Sequence, residues 1–304
     1  MPVDLATPAF LAAVALSALM GFAIQRGATC SVAAIDEIID RRSATRLLGM
    51  LEAALWVAGL LLLASVLHLT SFSARGYQPS WGMAIGAVLL GLGAWVNRAC
   101  VFGAVARLGS GQWSYLATPL GFYLGCLAYS ILPGLPRAMP AHASSPLLAT
   151  GPWGAFALLA FMLWRAARTR AIWSPGAATV VIGIAFVAML VLVGESWAYT
   201  DVLAELSRGM GMHLAWRGVL LLALFGGALL GGYTARLWKP AAMSWRLLLR
   251  CCCGGALMGV GSQMIPGSND GLILLGLPFL WPHAWIAFLL MCATVAGAIL
   301  LGRE

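Results

Sequence analysis

Apolar residues run along this chain in long blocks, without the alternating or one-sided patterns of a water-soluble fold. Nine blocks, at about 8–25, 47–69, 79–97, 113–133, 148–165, 172–194, 214–235, 247–265 and 282–301, are long enough to cross a bilayer, taking roughly 20 residues per span. Four shorter stretches lie between them, at about 28–40, 99–107, 198–208 and 268–279. These are too apolar for solvated loops and too short to span. The pattern predicts an all-α integral membrane protein with about nine transmembrane helices and four short re-entrant half-helices. Irregular backbone at membrane depth is tolerated only where protein or a polar cavity surrounds it.

The short stretches sit at related positions. Gly21 precedes Cys30 by nine residues, Gly91 precedes Cys100 by nine, and Gly259 precedes Ser268 by nine. Ser268 lies 168 residues beyond Cys100, and the same offset from Cys30 lands on Ala198, inside the remaining short stretch. The chain therefore reads as a degenerate duplication within one membrane domain, 1–304. Residues 1–135 form the first repeat, 136–171 a linking helix with its loops, and 172–304 the second repeat. Corresponding helices are five crossings apart, an odd number, so the two halves are expected to be inverted. Inverted repeats with broken helices are a transporter design that places the binding site near the midplane.

Composition agrees, with 62% hydrophobic and 9% charged residues against about a quarter charged in soluble domains. The net charge of +8 is not a nucleic-acid footprint, because the arginines lie in short loops between apolar blocks. With the N-terminus outside, fourteen Lys and Arg fall on the cytoplasmic side. Four (Arg75, Arg137, Arg208 and Arg217) fall outside. That bias selects N-out, C-in. The run at 8–24 follows Asp4 with no basic residue before it, and is expected to be a retained helix rather than a signal peptide. A multi-pass protein of a bacterial-type inner membrane is expected, with lipid as its main solvent.

Candidate chemistry concentrates in the short stretches. Three begin with residues able to cap a helix: Thr29-Cys30-Ser31, Thr200-Asp201 and Ser268-Asn269-Asp270. The fourth, Arg98-Ala99-Cys100, has no strong cap. If all four N-termini converge near the midplane, their dipoles favour an anion there. Arg26 and Arg98 shortly precede the two cysteines, where they would either draw anions to the pore or anchor the cytoplasmic side. The remaining cysteines (Cys126, Cys251, Cys252, Cys253 and Cys292) read as small core residues. No cysteine spacing suggests a metal, and no cofactor is implied. Asp36, Glu37 and Asp40 read as a solvated face paired with Arg41 and Arg42, and Glu52 as half of an ion pair. The histidines His68, His142, His213 and His283 read as interfacial, and Gly226-Gly227 and Gly231-Gly232 as helix-packing faces.

The segments QRGATCSVAAIDE, NRACVFGAVARLGSG and GSNDGLIL resemble the motifs of YeeE/YedE-type membrane proteins, over nearly the whole chain. The resemblance implies uptake of thiosulfate or a related sulfur compound, with central cysteines passing the anion along by hydrogen bonds from neutral thiols. Cys30 and Cys100 match two such positions. The best-known members carry a further cysteine in the fourth short segment, within a Gly-Cys-Thr-type sequence. Here that segment reads Gly267-Ser268-Asn269-Asp270-Gly271. Ser268 keeps a hydrogen-bond donor, whereas an ionised Asp270 facing the pore would repel a dianion.

The leading expectation is a permease or channel-like importer, not an enzyme, for a small sulfur-containing anion. Cys30 and Cys100 act as central donors, and Ser268 and Asn269 contribute from the outer half. Two other readings stand beside it. One is a membrane-embedded sulfurtransfer or redox enzyme using Cys30 as nucleophile. The other is a membrane partner for a soluble sulfur carrier, which the resemblance suggests is TusA-like.

Overall fold

The computed structural model describes residues 7–70, 72, 75–132, 134–141, 145–168, 173–209, 214–265 and 267–303, and among them it is helical, with no strand. In chain order the helices are α1 (Pro8–Gly27), α2 (Ser31–Arg41), α3 (Thr45–Val66), α4 (Trp81–Asn97) and α5 (Val101–Gly109). A 3₁₀ turn, Trp113–Leu116, leads into α6 (Ala117–Ile131). The chain continues with α7 (Pro146–Ala149), α8 (Gly151–Arg168), α9 (Pro175–Val193), α10 (Tyr199–Ser207), α11 (Leu214–Thr234) and α12 (Trp245–Met264). It ends with α13 (Asn269–Gly271), which runs on into a π-helical turn (Leu272–Gly276), and α14 (Pro282–Leu301).

Seven helical stretches among the described residues are long and apolar enough to cross a membrane. They are α1 running into α2, α3, α4 running into α5, α9, α11, α12 and α14. α6, at 15 residues, and α8, which ends on Arg165 and Arg168, fall outside that measure. The outward faces carry large apolar side chains, among them Leu11, Leu222 and Leu289. Trp81, Trp153, Tyr233 and Trp245 are exposed near helix ends, the positions that amphipathic rings take at a membrane interface.

Helix breaks have a local cause. At the end of α1, Ala28 turns left-handed (φ 45°), with its N–H on the Gln25 carbonyl and the Thr29 N–H on the Ile24 carbonyl. Seventy residues on, Arg98 does the same (φ 55°), with its N–H on Trp95 and the Ala99 N–H on Ala94. Each break closes off the spent carbonyls of one helix and restarts the chain at a cysteine, Cys30 or Cys100, in extended conformation. Asn97 braces the second break. Its Nδ2 donates to the Ala99 carbonyl at 2.8 Å, and its Oδ1 accepts from the Thr118 hydroxyl at 3.0 Å.

Packing partners recur between the two halves. α1 lies on α11 as α9 lies on α3; α6 lies on α12 as α14 lies on α4; α6 meets α10 as α14 meets α2. Close backbone approach makes these contacts possible. Gly121 and Gly125 face the carbonyls of Cys252 and Ala256, while Gly255 and Gly259 face those of Thr118 and Phe122. A β-carbon at any of the four would strike backbone, which is the small-xxx-small packing of membrane helices. Of the glycine faces expected from sequence, Gly227 and Gly232 do pack this way, on Ala18 and Gly109, whereas Gly226 faces open space.

Several expectations need correction. The hydroxyls at the half-helix starts do not cap: Cys30, Ala198 and Ser268 hold the cap positions without a side-chain cap bond, because Ser31, Thr200 and Ser268 bond to neighbouring short helices and Thr29 bonds Thr179 of α9. Asp36 and Asp40 pair with Arg303, and Glu37 with Arg46, rather than with Arg41 and Arg42. The turn at Arg42 is left-handed, and the C-terminal end of α14 lies closer. His283 is buried, not interfacial. Its Nδ1 accepts from the Tyr77 N–H at 3.3 Å, and its ring lies among Tyr77 and Trp281. His68 is exposed, and His142 and His213 lie outside the described residues. Glu52 does form its expected pair, a two-pronged contact with Arg165 at 2.8 and 2.7 Å.

Candidate functional site

The four short helices meet at their N-terminal ends in a closed ring of hydrogen bonds. From α2 to α5, the Ser31 N–H donates to the Cys100 sulfur at 3.2 Å. Between α5 and α10, the Tyr199 hydroxyl donates to the Val101 carbonyl at 2.8 Å. From α10 to α13, the Thr200 hydroxyl reaches both Asp270 oxygens, at 2.8 and 2.7 Å. From α13 back to α2, the Ser31 hydroxyl donates to Asn269 Oδ1 at 3.1 Å. Every residue named in this ring is buried.

The two thiols are held reciprocally. The Cys100 N–H points at the Cys30 sulfur at 3.5 Å, as the Ser31 N–H points at that of Cys100. Each sulfur accepts a backbone proton, and the two thiols also bond to each other, so one S–H of the pair is left to donate elsewhere. Gly103, one turn into α5, makes room for them, since a β-carbon there would meet the Cys30 sulfur. The thiols are free, not a disulfide.

Asn269 carries the most informative atom. Its Oδ1 is satisfied by Ser31, but its Nδ2 is buried and has no partner among the described residues. A buried amide N–H₂ left without an acceptor costs about 1–3 kcal/mol, so such a group calls for an explanation. A polar ligand accepting from Nδ2 would supply one.

A cavity of about 920 Å³ opens from one end of the molecule and reaches the ring. Thr200, Ser268 and Gly271 form part of its wall, and both hydroxyls bond to Asp270 just behind them. Arg75, Arg137, Arg208 and Arg217 line this vestibule with Glu195, Asp201 and Glu205. Arg217 is fixed by ion pairs to Glu195, at 2.9 Å, and to Glu205, and Arg208 bonds Gln263. A second cavity, of about 160 Å³, is walled by Ala33, Asp36, Glu37, Asp40, Arg41 and Arg46. Neither cavity is lined by Cys30, Cys100, Ser31 or Asn269.

Of the residues expected from sequence, Cys30, Cys100, Ser268 and Asn269 come together here. Arg26 and Arg98 do not join the ring. The Arg26 guanidinium lies over the Phe22 ring, 5.5 Å from its centroid, and Arg98 is exposed at its left-handed turn. Ser31, Tyr199 and Asp270 form ring contacts that sequence reading did not assign. Ser31 stood next to a motif cysteine, which was its one available signal. Arg217 was counted as an outer loop charge but is 9% exposed. Its partners stand 22 and 12 residues away, beyond any local pattern.

Apolar helices with exposed aliphatic faces, broken around a buried polar ring, define a multi-pass membrane protein. More specifically, the chain belongs to the sulphur transport family, the YeeE/YedE proteins, whose family model matches residues 26–297. Its role is accordingly in transport of sulfur compounds. No curated protein matches the chain significantly.

Proposed function

We propose that this protein imports a small sulfur-containing anion such as thiosulfate, through the ring, without covalent chemistry. The observation that carries this reading is the buried cluster of donors at one point: a pair of unoxidised thiols bonded to each other and the unpartnered Asn269 Nδ2. Neutral thiol donors suit a soft sulfur anion and hold it weakly, and passage requires sites that the solute can leave. The four half-helix N-termini add favourable potential for negative charge.

In this reading the chain has nine crossings, with α6 and α8 completing the seven apolar stretches. Its halves are inverted repeats, 1–135 and 172–304, joined by 136–171, with the N-terminus outside and the C-terminus in the cytoplasm of a bacterial-type cell. The recurring helix contacts and the arginine bias support it. The vestibule then faces outward, and the cavity at α2 faces the cytoplasm. Ser268 receives the anion at the vestibule floor, Asn269 passes it inward, and Cys100 and Cys30 carry it to the cytoplasmic side. Arg26 and Arg98, just before the two cysteines in sequence, either draw the anion to the ring or anchor the cytoplasmic side. A TusA-like soluble carrier is a fitting recipient there.

Uptake of labelled thiosulfate into proteoliposomes tests the proposal. Wild type is expected to take up thiosulfate above empty vesicles, and Cys30→Ala and Cys100→Ala to lose most of that flux. Unchanged flux in both variants rules out the thiol relay, and no uptake by wild type rules out thiosulfate. A persistent persulfide on Cys30 after turnover would instead mark a sulfurtransfer enzyme.

A further inference from the structure

Asp270 is 1% exposed, and its carboxylate accepts from the hydroxyls of Thr200 and Ser268 and from the Gly271 N–H. No ion pair to it is formed among the described residues. It therefore occupies, as a tethered anion, the donors at the vestibule floor that an incoming anion needs. Two negative charges at one buried point repel strongly. The hydroxyls of Thr200 and Ser268 touch both Asp270 and the vestibule, so a proton has a one-step route to the carboxylate.

We infer that Asp270 is the proton-coupling residue of this transporter, taking up one proton from the vestibule for each anion admitted. This deepens the transport reading given above and rests on it. In the resting state, the carboxylate holds the Thr200 and Ser268 hydroxyls. When a proton adds to an Asp270 oxygen, those hydroxyls are released to the anion, and the new O–H becomes a further donor. As the anion moves on to Asn269 and the thiols, the carboxylate re-forms. The Asp270 O–H gives its proton to water that follows the anion inward, and the hydronium formed leaves on that side. No bond other than O–H is made or broken, and the charge carried per cycle is that of the anion plus one proton.

Tyr199 and Asp201 of α10 act electrostatically on Asp270, and Glu205, Arg208 and Arg217 act in turn on Asp201. Cys100 and Cys30, just before α5 and α2, belong to the same ring. Of the helices packed on the π-helical turn, α14 carries His283 and Cys292, and α3 carries Arg46 and Glu52, both in ion pairs. His283 accepts at Nδ1 from a backbone N–H, so it is neutral at that nitrogen. Asp201 is the nearest rival, because it lines the same vestibule.

The test uses full-length protein in proteoliposomes with thiosulfate outside and a pH-sensitive dye in the lumen. Wild type is expected to acidify the lumen as thiosulfate enters, with faster uptake at lower external pH. Asp270→Asn is expected to pass thiosulfate down its gradient with acidification lost, whereas Asp201→Asn and Asp270→Glu keep it. Thiosulfate flux without acidification in wild type overturns proton coupling alone, and needs no variant to fold. Acidification retained by Asp270→Asn, or lost in Asp201→Asn instead, overturns the assignment to Asp270. Absence of any thiosulfate flux overturns the transport reading for this solute, and the coupling with it.

Discussion

Because a β-carbon at Gly103 would fall on the Cys30 sulfur, this position sets how closely α2 and α5 approach and where the thiol lies. Gly103→Ala is expected to push the Cys30 side chain off its place, at an overpacking cost of about 1–3 kcal/mol. Thiosulfate uptake should fall by about tenfold, the equivalent of roughly 1.4 kcal/mol at the site, while the purified protein stays folded by circular dichroism. Uptake equal to wild type would mean that the sulfur position does not matter. At this scale, the proximity of Cys30 and Cys100 was legible in a motif that recurs at a fixed offset. Contacts in which one side chain answers another far away were not. The Ser31–Asn269 bond spans 238 positions and the Thr200–Asp270 bond spans 70, so the hydroxyls looked like caps when they are cross-links.

The short helices exist because the long helix before each of the first two ends in a left-handed residue, and neither Ala28 nor Arg98 is glycine. That conformation costs an L-residue roughly 1–2 kcal/mol, which the turn-closing bonds and the bracing at Asn97 offset. Arg98 thus has a backbone role separable from its charge. Arg98→Gly is expected to raise thermal stability slightly and to leave thiosulfate uptake within about twofold of wild type, since glycine adopts φ > 0 freely. Arg98→Val should destabilise the protein, because a β-branched residue is an outlier there. A large loss of uptake in Arg98→Gly alone would instead assign the guanidinium to the anion path. Between longer helices, the bidentate Glu52–Arg165 contact joins α3 to α8. Glu52→Gln should cost about 1–2 kcal/mol in thermal unfolding, because both groups are partly screened. The breaks themselves were legible in the sequence as apolar stretches too short to span. The α6–α12 glycine contact was not, because spacing alone does not say which helix a small-residue face meets.

At the scale of the molecule, the sidedness inferred from arginine counting gives the two cavities opposite characters and can be tested apart from transport. Arg137 lines the vestibule and Arg41 the small cavity. An impermeant maleimide added to intact cells should therefore label Arg137→Cys and spare Arg41→Cys. The vestibule brings four arginines against Glu195, Asp201 and Glu205, an excess of positive charge over a floor that carries the Thr200 and Ser268 hydroxyls. Two of those arginines, Arg208 and Arg217, are tied to Gln263, Glu195 and Glu205, which hold the wall in place. Arg75 and Arg137 make no ion pair among the described residues, so they are the charges best placed to act at a distance. Such focusing raises local anion concentration and is screened over about 8 Å at physiological salt. The double variant Arg75→Glu, Arg137→Glu should then raise the KM for thiosulfate by about tenfold or more, with little change in maximal flux. The salt sensitivity of wild-type uptake should largely vanish in it. If maximal flux falls while KM stays put, the vestibule arginines act after entry, at the ring, and the division between an electrostatic mouth and a hydrogen-bonding throat is wrong.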